Sequence, residues 1–107
     1  MTALEVLSLS VNSISTLKDI GSCQNLKELY IRRNCVESLD EIEHLVPLTN
    51  LKIIWLAENP VATITGYRQH VIRKLPQLEK LDNIEISLEE KQAAQNPKSY
   101  NAVSQHE

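Results

Sequence analysis

Residues 26–34 read LKELYIRRN, and residues 51–59 read LKIIWLAEN on the same frame. An earlier stretch, LEVLSLSVN at 4–12, shares it. Leucine or isoleucine fills the first, fourth and sixth places, and asparagine closes each stretch. Around the fourth and sixth places, apolar residues alternate with residues of other kinds. That is the period of a strand with one face in a core. The tyrosine, the arginines and the tryptophan fall on the alternate places, so they belong to the opposite face.

The frame continues beyond the asparagines. Ile14, Val36 and Val61 follow each one by two, and then come Leu17 and Ile20, and Leu39 and Ile42. Asn12, Asn34 and Asn59 mark the repeat, whose second interval is slightly longer than its first. The pattern LxxLxLxxNxIxxLxxI, filled three times, is a leucine-rich repeat. Strands this short cannot stand alone, so copies stack into a parallel sheet. The predicted fold is α/β: a solenoid with a short parallel sheet on its concave face and helical turns on its convex face. Asn12, Asn34 and Asn59 are expected to turn inward as a ladder. There their amides satisfy backbone groups otherwise buried without partners. TLKDIGSCQN and SLDEIEHLVPLTN form the returns, with Pro47 bulging the second.

After Asn59 the interval lengthens again, from Leu51 to Leu78. Tyr67, Val71 and Leu75 recur every four residues on one helical face, Thr65 is placed to cap that helix, and Pro76 ends it. Leu78 and Leu81 supply a last, degenerate strand. Residues 1–59 are thus three repeats, 60–86 a cap with one helix over the open core, and 87–107 a short helix beginning at Ser87 and then a disordered tail. Met1 lies only three residues before the first repeat leucine, which leaves an uncovered sheet edge. The expectation is a fragment or alternative start of something longer, with a partner on this edge as the other reading.

Composition narrows the function. Apolar residues make up 42% of the 107, so one small domain has enough material for a core, with leucine, isoleucine and valine building it because Phe is absent. A formal charge of −3 disfavours direct nucleic-acid binding. Cys23 and Cys35 match no metal spacing and read as reduced thiols of a cytosolic or nuclear protein. No apolar run has transmembrane length, so no membrane role is expected. Gly21 and Gly66 form no phosphate loop, and no nucleophile has a base at recognisable spacing. The chain therefore reads as a non-enzyme without cofactor or metal. His44, His70 and His106 read as solvated, as do Glu37, Asp40, Glu41 and Glu43.

The candidate site is the concave face. Repeat two presents Glu28, Tyr30 and Arg32 there, and repeat three presents Ile53, Trp55 and Ala57. Arg33 and Glu58 hold matching strand-end positions and are expected to pair. Repeat one adds Val6, Ser8 and Ser10, and the cap strand Lys80 and Asp82. Tyrosine, tryptophan and arginine dominate energetic hot spots of protein interfaces. The same residues could instead simply cover the sheet, with Arg32 stacked on a ring.

The repeat and cap resemble the short class of leucine-rich repeats closed by the LRR cap, which includes a phosphatase 1 regulatory subunit, a dynein light chain and the spliceosomal A-prime protein. More narrowly, LSVNSISTL at 9–17, LYIRRN at 29–34, WLAENP at 55–60 and LPQLEKLDN at 75–83 are similar to the N-terminal domain of the cilia- and flagella-associated protein 410 family. That resemblance implies a non-enzymatic protein-binding scaffold of the basal body and cilium. It also implies a link to a NIMA-related kinase and the DNA-damage response, hence a nuclear pool. The other class members imply a ribonucleoprotein component or a phosphatase regulator.

Overall fold

The computed structural model describes residues 3–95. The expected disordered tail and His106 lie outside them. Three strands of three residues each, β1 (Val6–Ser8), β2 (Glu28–Tyr30) and β3 (Ile53–Trp55), run parallel and side by side. Short 3-10 turns at Ile20–Ser22 and Leu39–Leu45 carry the chain back between strands. The alternation read from sequence is the one that forms. Leu29 and Ile54 are fully buried while their strand neighbours stay half-buried. Between these layers lies one core that includes Leu17, Leu26, Ile31, Ile42, Leu45, Leu48, Leu51 and Leu56. Burying each such side chain stabilises the fold by about 1.5–3 kcal/mol.

The returns pack as closely as the strands. A Cβ on Gly21 would collide with the backbone carbonyl of His44 in the next return. The close approach explains the glycine.

Asparagines tie one coil to the coil before it. Asn59 is 2% exposed; its Oδ1 accepts from the Val36 amide at 3.1 Å, and its Nδ2 donates to the carbonyls of Ile31 (3.0 Å) and Leu56 (2.9 Å). Asn34 repeats the pattern one coil earlier, accepting from Ile14 and donating to Leu9 and Ile31. Asn12 departs from the expected ladder. It is exposed and donates only within its own turn, to Leu9 and Ser10, because no described coil precedes it. For the same reason Leu4, Leu7 and Leu9 are only partly buried.

The residue before each asparagine takes a left-handed backbone, with φ of 59° at Val11, 59° at Arg33 and 63° at Glu58. Side chains other than glycine sit there at a cost of about 1–2 kcal/mol. For Arg33 and Glu58 the adjacent buried asparagine bonds offset it.

Past Asn59 the chain makes a 3-10 turn at Pro60–Thr63, then helix α1 (Tyr67–Lys74). The helix begins one residue later than a Thr65 cap would require: Gly66, at φ 83°, holds the cap position without a side-chain bond. The left-handed turn there is natural to glycine and not to threonine. Tyr67, Val71 and Leu75 do share a buried face. Strand β4 (Lys80–Leu81) extends the parallel sheet, and β5 (Ile84–Glu85), which the sequence reading did not anticipate, pairs with it antiparallel. Asp82 and Asn83, both at positive φ, form the two-residue hairpin turn. Helix α2 (Leu88–Gln95) then packs on α1, with Ser87 Oγ accepting from the Glu90 amide at its start.

Candidate protein-interaction face

Register places the candidate residues in rows across the strands. Val6, Glu28, Ile53 and Lys80 are successive partners, and Ser8, Tyr30 and Trp55 form the next row. Strand separation of about 4.8 Å brings the two aromatic side chains into contact. Their ring centroids lie 6.1 Å apart at an interplanar angle of 72°, an edge-to-face pair. Such a pair is worth about 0.5–1.5 kcal/mol beyond the area it buries. Neither ring is in the core: Tyr30 and Trp55 are half-buried on the face opposite Leu29 and Ile54.

The polar groups around the rings are arranged by the same register. Arg32 lies over Trp55, its Cζ 6.0 Å from the ring centroid. Its Nη1 is 3.3 Å from Glu58 Oε1, and Arg33 Nε is 3.4 Å from Glu58 Oε2, so two guanidiniums share one carboxylate. The Tyr30 hydroxyl donates to Glu28 Oε1 at 2.5 Å. This bond to a carboxylate, with some burial and the charge of Glu28, raises the phenol above its usual range and keeps it a donor. Ala57 follows Trp55 by two residues, and its carbonyl accepts from the Arg33 amide at 3.1 Å. Glu28, Tyr30, Arg32, Arg33, Ile53, Trp55, Ala57 and Glu58 thus form one continuous surface.

Asp82 differs from its expected place as an exposed concave residue. Its Oδ1 accepts from the Leu56 and Ala57 amides at 2.6 and 2.9 Å, and its Oδ2 from the Tyr67 hydroxyl at 2.8 Å. The aspartate closes the end of the sheet much as the asparagines close the inner coils. Burial first, and then the Asp82 charge and hydrogen bond, push the Tyr67 phenol far above its usual range.

Two residues expected to be solvated, one on a return and one on the cap helix, are not. Glu41 Oε1 accepts from the Thr16 hydroxyl and the Leu17 amide, both at 2.8 Å, which holds its carboxyl below the usual range, chiefly through the amide bond. His70, on α1, keeps its Nε2 buried and without a hydrogen-bond partner among the described residues. Burial, then Arg73 and Lys74, lower its pKa. Sequence reasoning also missed the clasp between Arg68 and Glu90, two bonds of 2.5 and 2.9 Å that fasten α2 to α1. Cys23 is buried, Cys35 exposed, and both are free. Among the described residues, no cluster of His, Cys, Asp or Glu is placed to hold a metal ion, and no helix is long and apolar enough to cross a membrane.

A family model described as "Leucine-rich repeat" matches residues 1–105. The chain belongs to the leucine-rich-repeat family. This leucine-rich-repeat chain is 51% identical over 92 residues to human cilia- and flagella-associated protein 410, covering 84% of itself and 36% of that relative. Against the mouse protein of the same name it is 50% identical over 92 residues, covering 84% and 37%. It therefore spans little more than a third of those relatives. The fold is also that of U2A' in the solved Drosophila melanogaster SNF/U2A' complex, with a TM-score of 0.81, 30% identity, and coverage of 97% of this chain and 63% of that one.

Proposed function

We propose that the chain is a non-enzymatic protein-interaction module that holds a protein partner on its concave sheet face, within a scaffold of the basal body and cilium. The observation that carries the reading is the Tyr30–Trp55 pair. Two large rings and an arginine stand outside the core, on one continuous surface, where folding alone does not require them. Such residues are the ones whose truncation costs an interface about 2 kcal/mol or more. The ciliary setting is supported by the similarity to cilia- and flagella-associated protein 410. A NIMA-related kinase is the first partner to examine, and a nuclear pool would accompany it.

Proximity labelling in ciliated cells tests this reading. The wild-type chain should label basal-body proteins, and a Tyr30→Ala, Trp55→Ala double variant of unchanged circular dichroism should lose them. Equal labelling by the variant would remove the sheet face from the account.

A second reading follows from the likeness to U2A', whose solved structure is a complex with SNF. A ribonucleoprotein component would grip a protein and leave direct RNA contact to it, in keeping with the net charge of −3. Splicing proteins in place of centrosomal ones in the same labelling would favour it.

A further inference from the structure

We infer that the segment held on this face is acidic at one end: an apolar side chain seated on the Tyr30–Trp55 pair, with a carboxylate beside it that meets Arg32 and Arg33. The inference rests on the reading of the sheet face as the binding surface. It comes from how the charges of that face are already used.

Most of its acids are engaged within the fold. Glu5 is 3.5 Å from Lys27 Nζ, Glu28 accepts from the Tyr30 hydroxyl, and Asp82 is taken up by the Leu56 and Ala57 amides and Tyr67. Glu58 is divided between Arg32 and Arg33. Each guanidinium meets that carboxylate through one nitrogen at more than 3 Å, which leaves most of its five donors without an acid. At the other side of the rings, Lys80 stands beside Ile53 in the register and Lys52 precedes it. Neither lysine is in an ion pair among the described residues. Two exposed acids stand with them, Glu79 at the lower rim and Glu85 opposite Lys80 in the register, so charge on that side is balanced. The excess of positive charge beside the rings therefore lies at the Arg32 and Arg33 end, where two guanidiniums share one carboxylate, in a chain whose overall charge is negative.

A partner carboxylate near Arg32 would complete the guanidinium pair beside the aromatic surface, which strengthens the bond by excluding water. A basic or uncharged segment would leave these cations desolvated and unpaired, which specificity by charge selects against.

Selection from a random-peptide phage library on the wild-type chain, with parallel panning on the Tyr30→Ala, Trp55→Ala variant, tests the inference. Trp55 is the single tryptophan, so its emission reports binding of each selected peptide at this face. The expected binders are lost on the double variant and carry Asp or Glu beside an apolar residue. Their affinity should fall about tenfold with Arg32→Gln, which alters charge at the rings and spares the core. It should also weaken as salt rises from about 50 mM to about 0.5 M. Ring-dependent binders that are basic or uncharged would overturn the acidic assignment while leaving the binding face in place. Binders indifferent to the double variant would overturn the face itself, and an empty selection counts against both. A single-stranded oligonucleotide binding more tightly than the selected peptides would overturn the choice of a polypeptide.

Discussion

Replacing Asn59 by alanine should be among the most damaging polar substitutions available in this chain, and replacing Asn12 among the mildest. Both occupy the same place in the repeat. Asn59 is 2% exposed and serves two coils: its removal strands the Val36 amide and takes a donor from the Ile31 and Leu56 carbonyls. A buried donor left unsatisfied costs about 1–3 kcal/mol. With the carbonyls added, the expected loss is about 3 kcal/mol. For a domain of this size that lowers Tm by about 15 °C. Among the described residues the Asn12 side chain bonds to Leu9 and Ser10 of its own exposed turn alone, where water can replace it. Asn12→Ala should therefore cost under about 0.5 kcal/mol. Urea unfolding of the two variants, followed by circular dichroism, measures the difference directly. Equal losses would mean that the asparagines act through local turn geometry alone, and bonding between stacked coils would no longer explain them.

Val11 is β-branched, exposed and held at φ 59°, so Val11→Asn should raise stability by about 1 kcal/mol, read as a higher Tm. The Glu41 carboxyl is held below the usual range by the Leu17 amide, so its contribution is complete above about pH 5 and is lost as pH falls through its folded pKa. Glu41→Gln should accordingly destabilise the chain at neutral pH and flatten the acid limb of its stability profile, which unfolding at a series of pH values would show. Glu90→Gln weakens the clasp to Arg68, which should cost about 1–2 kcal/mol and speed amide exchange in α2 while β2 and β3 stay protected.

Much of this architecture was legible because it repeats. A period seen once is ambiguous, but the same places filled by Leu7, Leu29 and Ile54 fix strand, register and buried face together. The aromatic pair followed from that register, since Tyr30 and Trp55 are one repeat apart and hold the same place in adjacent coils. The link between Arg33 and Glu58 was readable in the same way. What escaped was chemistry between places that the repeat does not equate. Arg68 and Glu90 meet across α1 and α2, outside the periodic part. Strand β5 is two residues long and has no period to detect, though Asp82-Asn83 between Leu81 and Ile84 is a hairpin signal in its own right. Thr16 and Glu41 sit in successive returns but occupy unlike places, so aligning the repeats does not pair them. The exposure of Asn12 was hidden for a different reason: a repeat pattern gives every copy the same role, whereas the first described coil packs against a described coil on one side alone.

Photo-crosslinking from inside the cell tests the central claim most directly. A photoreactive amino acid placed at Ile53, on the sheet face beside Trp55, should give discrete adducts with a protein partner, and one placed at Glu37, on the return side, should give none. Adducts from Glu37 with none from Ile53 would contradict the account, because the partner would then sit on the side of the molecule that the rings do not face.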